Sequence, residues 1–213
     1  MTSQGISYYG TYCLLDETSG DSGIKVDGNS WPIGSEVELT PQLHVTERGK
    51  EVPRVVVGRK DQAAGFVPQD VFKHLKKAMD ENWVCRAFPS AVIFDKTTDK
   101  YTVEIALMCY PLEQREAFDA FVERIAERIA KGEHPAVALS EKERAHVLES
   151  NGQWSATKSQ ELPKLPKGRA YFKTRRTFTE GLALSAASGH YGKLIACILA
   201  VVVVIAVILY FVL

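Results

Sequence analysis

Residues 83–110 read WVCRAFPSAVIFDKTTDKYTVEIALMCY, and this stretch decides the fold class. Trp83 to Phe88 and Ala91 to Phe94 are rich in aromatic and β-branched side chains, the composition of strands. DKTTDK, residues 95–100, is polar and free of long apolar side chains, so it reads as a hairpin loop. On the returning side Tyr101, Val103, Ile105 and Leu107 alternate, which places them on one face of a strand. An antiparallel pair is therefore expected at the centre of the chain.

Upstream, Val71, Phe72, Leu75, Ala78 and Met79 recur at helical spacing and predict a helix over 69–81. Short alternating runs at 8–15, 36–40 and 52–58 predict further strands, and the turn-rich DETSGDSG and DGNSWPIG between the first two read as loop. Downstream, Phe118, Phe121, Val122, Ile125 and Ile129 form the apolar stripe of a second helix, with Gly132 just past its end. Ser140 followed by Glu143 is a capping box opening a short helix through Glu149. Antiparallel strands combined with helices that do not form a regular strand–helix–strand repeat make the expected class α+β.

The tail differs from the rest. LIACILAVVVVIAVILYFVL, residues 194–213, holds twenty residues without a charge, a Gly or a Pro. A helix of that length spans about 30 Å, the thickness of the hydrocarbon core. Its Val and Ile favour a strand in water, but an isolated strand in lipid leaves every backbone amide unpaired. The expectation is a single-pass transmembrane anchor.

From Lys158 to Lys193 eight basic residues face two acidic ones, a net of +6 that leaves residues 1–157 at −6 in a chain of zero net charge. The positive-inside rule then places the N-terminal part in the cytoplasm. MTSQGISYYG has neither a basic n-region nor an apolar h-region, so the expected arrangement is tail-anchored. Lys167, Arg169, Lys173, Arg175 and Arg176, with Lys193 beside the anchor, are candidates for contact with an anionic lipid surface. Near such a leaflet each Lys or Arg contributes about 1 kcal/mol. The same cations, interleaved with Tyr171, Phe172 and Phe178, are also a candidate nucleic-acid site. Ser188, Gly192, Ala196 and Ala200 recur every four residues and form a candidate helix–helix stripe for a homodimer.

Nothing in the sequence assembles a catalytic or metal site. Gly20-Asp21-Ser22-Gly23 spells the start of a serine-protease motif but sits among turn residues, in a chain too short for that machinery. Asp95 and Asp99 flank a turn, where Asp favours backbone hydrogen bonding. The histidines at 44, 74, 134, 146 and 190 share no ligand-like spacing. Cys13, Cys85, Cys109 and Cys197 contain no CxxC pair, so buried free thiols are expected for the first three. No cofactor motif is present, and the expectation is a non-enzyme.

Across 55–110 the chain carries Val55-Val56-Val57, then Gly65-Phe66-Val67-Pro68, a helix bearing Val71 and Leu75, a strand through Val84, Arg86 and Phe88, and a partner ending at Leu107, and this pattern resembles the HIRAN domain. Tyr8-Tyr9-Gly10-Thr11-Tyr12 matches the family's first strand more loosely. The resemblance implies a small β-barrel-like module with packed helices and, as in the best-known members, binding of single-stranded DNA ends. Between Thr40 and Val57 this chain carries PQLHVTERGKEVPR instead of the family's Arg- and Asn-Pro-containing run, so no DNA-contacting position is carried over.

The expected organisation is a HIRAN-like domain at 1–112, a helical extension at 113–150, a flexible basic Pro-containing linker at 151–193 and the anchor at 194–213. The expected function is a membrane-tethered, non-catalytic module that binds a protein at the cytoplasmic face. The alternatives are nucleic-acid capture at the membrane and a cryptic enzyme.

Overall fold

The computed structural model describes residues 8–16, 26, 28–46, 48–59, 62–155 and 158–187. Two compact units divide the chain, residues 1–175 and residues 176–213. In the first, the central pair is β5 (Val84–Asp95) and β6 (Lys100–Tyr110), with the turn where the polar hexapeptide places it. On one side β6 pairs antiparallel with β1 (Tyr9–Leu14), and on the other β5 pairs with β7 (Arg169–Lys173). A second sheet has the order β2 (Glu38–Val45), β3 (Glu51–Arg59), β4 (Gln62–Phe66).

Period-2 alternation gives the four-stranded sheet two faces. Val103, Ile105, Leu107 and Cys109 are buried on the face that carries α1 (Gln69–Asp80) and the second sheet, as the stacking of Tyr9, opposite Cys109, on His74 of α1 attests. Ala106, Met108 and Tyr110 are buried on the other, where Tyr110 stacks on Phe118 of α2 (Arg115–Ala130) at 5.3 Å. α1 buries Val71, Phe72, Leu75 and Ala78, and α2 buries Phe118, Phe121, Val122, Ile125 and Ile129. Both stripes are the ones read from the periodicity, except that Met79 at the end of α1 is only partly buried. Gly132 follows α2 with φ 92°, and α3 (Glu141–Glu149) opens on the expected Ser140–Glu143 capping box.

Among the described residues the strands do not close into the expected barrel. Two separate sheets are stitched only by single bridges, Val37 to Ala87 and Asp16 to Phe66. The open edge of β5 is occupied instead by β7, which comes from the stretch expected to be flexible linker. That stretch also folds back earlier: Ala136 N–H donates to the Lys158 carbonyl and Gln160 N–H to the His134 carbonyl. Its strand was hidden because RAYFK is short and basic, and the pairing is supplied by a partner about 75 residues away, which no local pattern encodes. β2 runs beyond its expected end at Thr40 through Val45, and Pro89-Ser90 bulges a single β5 where two strands were expected.

The second unit contains α4 (Phe178–Ala187), opened by Thr177, whose amide donates to the Glu180 carboxylate at 2.9 Å. Among the described residues no helix is long and apolar enough to cross a membrane. The apolar run 194–213 lies outside them.

Candidate functional site

The second sheet holds an apolar surface that the fold leaves unfinished. In the β2–β3 hairpin Leu39 faces Val57, Pro41 faces Val55, Leu43 faces Pro53, and Val45 faces Glu51. Pairs directly opposite share a face, so these side chains form one apolar ladder. Its inner rungs, Val57 and Val55, are buried in the core with Phe72 and Leu75 of α1. Its outer rungs project past the helix. Leu43 is 65% exposed and Val45 57%. Between this overhang and the C-terminal half of α1 lies a groove of about 530 Å³, with Pro41, Leu43, Pro53 and Met79 among its walls.

The rim of the groove is charge-balanced. Arg54 Nη1 lies 3.1 Å from Asp16 Oδ2 and caps the Phe66 ring at 5.7 Å. Lys76 pairs with Asp80 one turn along α1, at 2.5 Å. The site offers apolar contact and backbone rather than net charge. β2 is also an edge: among the described residues the sheet order gives Glu38–Val45 β3 on one side and no further strand on the other, beyond the single bridge from Val37 to Ala87 at its start. Edge strands present unpaired amides and carbonyls to any extended segment. The sequence carries the signal for it, since Leu39, Pro41, Leu43 and Val45 alternate past Thr40, the expected end of the strand.

A second cluster lies inside the molecule, on the α2 face. The bulge between Pro89 and Ala91 turns Ser90 toward Glu104, and Ser90 Oγ donates to Glu104 Oε2 at 2.7 Å. His134 Nε2 lies 3.2 Å from the same oxygen. Its ring stacks on Tyr12 at 3.7 Å, and Tyr12 Oη donates to the Pro135 carbonyl at 2.7 Å. All three polar residues are buried. In hydrolases the imidazole stands between hydroxyl and carboxylate, so that it can take the hydroxyl proton. Here the carboxylate stands in the middle and the serine proton is already committed to it, so Ser90 is not activated. The cluster fastens the segment after α2 to the sheet. Tyr8 Oη adds a bond to the Val137 carbonyl at 2.9 Å, and Gly10 admits that carbonyl, which would lie 2.1 Å from a Cβ. The one trace of this in the sequence is a carboxylate, Glu104, within the otherwise apolar run of β6 from Val103 to Tyr110.

Arg86 forms a third polar centre, donating to both oxygens of Glu36 at 2.9 and 2.7 Å and lying 3.6 Å from Asp119 of α2. Tyr110 Oη donates to the same Asp119 at 2.5 Å. This network is structural: it joins the β2 approach, the sheet and α2 at one point.

The basic residues singled out from the sequence fare differently. Arg169 is committed to Asp95, with Nε 2.9 Å from Oδ2. The Thr97 amide and then this guanidinium hold the Asp95 carboxyl below its ordinary range. Lys167 and Arg175 are exposed, Lys173 is half-buried, and Arg176 belongs to the second unit. Lys193 and the stripe Ser188, Gly192, Ala196 and Ala200 lie outside the described residues, as does Gly20-Asp21-Ser22-Gly23. Among the described residues no three His, Cys, Asp or Glu side chains come together to hold a metal ion. No family model, curated protein or solved structure matches the chain.

Proposed function

We propose that the protein is a membrane-tethered, non-catalytic binding module that captures an extended segment of a protein partner along β2. The observation that carries this reading is the unfinished ladder: two large apolar side chains more than half exposed, beside a groove and a strand edge that no other described strand covers. An added strand would satisfy the edge through its backbone and place alternate side chains in the groove. The paired rim cations favour a neutral or apolar segment over phosphates. The acidic balance of residues 1–157 points the same way, against nucleic acid. The tether is supported by the twenty-residue apolar run and the net +6 of the segment before it.

Random peptides displayed on phage, selected against the full chain in detergent, test the groove. Selected peptides should weaken at least tenfold on Leu43→Asp/Val45→Asp, and single-stranded oligonucleotides should not compete with them. Equal binding by the double variant would refute the site. Alkaline carbonate extraction of cell membranes tests the tether, and release of the full chain into the supernatant would remove it from the account.

A further inference from the structure

Cys85 on β5 and Cys109 on β6 are Cα partners in the antiparallel register. Residues directly opposite in such a ladder stand about 4.5–5.5 Å apart and project to the same face. That separation lies inside the range of about 4.4–6.8 Å that a disulfide spans without backbone movement. Both thiols are free. The third described cysteine does not compete. Cys13 is opposite Ile105, four residues along β6 from Cys109, a distance of about 13 Å at the rise of a strand.

We propose that Cys85 and Cys109 are a modification site, a cross-strand dithiol that a hydroperoxide converts to a disulfide. Cys85 is the partly accessible member and Cys109 is fully buried, so the oxidant meets Cys85 first. Its interaction with Cys85 and then burial push the Cys109 thiol well above the ordinary range, which makes it the slower of the two thiols toward oxidant. The Cys85 sulfur attacks the peroxide, the O–O bond breaks, and sulfenic acid and water (or an alcohol) result. The Cys109 sulfur then attacks the sulfenic sulfur. The S–S bond forms, the S–O bond breaks, and the hydroxide leaves as water with the thiol proton. The two sulfurs together lose two electrons, and the peroxide takes both.

The placement gives the bond a consequence. Cys85 lies just after the exit of α1, where Trp83 N–H donates to the Ala78 carbonyl, and the end of that helix walls the groove. The crosslink ties that exit to β6, the other central strand of the sheet.

The test is a peptide map of the full chain in detergent after titration with hydrogen peroxide and blocking with N-ethylmaleimide. The expected product is a Cys85–Cys109 linked peptide two hydrogens lighter than its parts, restored to two alkylated thiols by dithiothreitol, with a higher Tm for the oxidised chain. Cys85→Ser should leave Cys109 fully alkylatable after denaturation at the same peroxide dose. Cys85 running on to sulfinic acid while Cys109 stays a thiol would overturn the proposal, and so would a link from either residue to Cys197 or the persistence of both thiols. The wild-type map decides the matter even if the variant fails to fold.

Discussion

The two sheets of the first unit treat their apolar surface in opposite ways. The β1–β6–β5–β7 sheet is covered on both faces, by α1 and the second sheet on one and by α2 on the other, and β7 closes an edge. The β2–β3 hairpin begins under α1 with Val57 and Val55 buried, and then runs on into solvent with Leu43 and Val45 still apolar. Burial is the main stabilising term in folding, so apolar side chains kept where the fold does not use them point to use by something else. The charged groups show the same division. Those of the covered sheet are locked into Glu104–His134 and Arg86–Glu36, while the groove is left with balanced, surface-lying pairs.

The largest expected effect is in the covered half. Phe118→Ala removes a ring stacked on both Tyr8 and Tyr110 and should cost about 4 kcal/mol in chemical denaturation. Next, Glu104→Leu leaves the buried Ser90 hydroxyl and His134 Nε2 without their shared acceptor and should cost about 3 kcal/mol. The triple variant Ser90→Ala/Glu104→Leu/His134→Phe should lose less than that single one, because it removes the stranded polar groups together. A loss equal to the sum of three singles would show the residues acting independently.

A smaller effect is expected at α3. Ser140→Ala should cost about 1 kcal/mol by removing the cap. Hydrogen bonds from the Ser140 hydroxyl and then its amide hold Glu143 below the ordinary carboxyl range. A folded-state value below the unfolded one stabilises fully above the ordinary value of about 4.3, and that contribution is lost as pH falls through the lowered value. The Tm gap between wild type and Glu143→Gln should therefore be open at pH 7 and close in acid. The smallest stability change belongs to Leu43→Asp/Val45→Asp, under about 0.5 kcal/mol, even though the same pair should abolish peptide capture. A large loss of stability there would mean the hairpin tip is core after all.

What was legible in the sequence was local. The helix stripes, the capping box and the 95–100 turn follow from spacing and short-range hydrogen bonding, and the structure has them where the spacing puts them. What was not legible was long-range. β7 exists because β5 had a free edge, and Ser90 meets Glu104 and His134 only through a bulge and a loop distant in the chain. The groove stood between these cases. Its alternating residues were readable, but their exposure depends on α1 ending short of them. In place of the expected small barrel, the described strands form two separate sheets, a difference set by which edges pair across the fold rather than by any local pattern.

The most direct measurement is amide hydrogen exchange of the full chain with and without a groove-selected peptide. An added strand predicts slowed exchange at residues 40–45, with the β5–β6 amides unchanged. Protection confined to any other surface, or none at all with peptide bound, would contradict the reading of β2 as the edge where a partner docks.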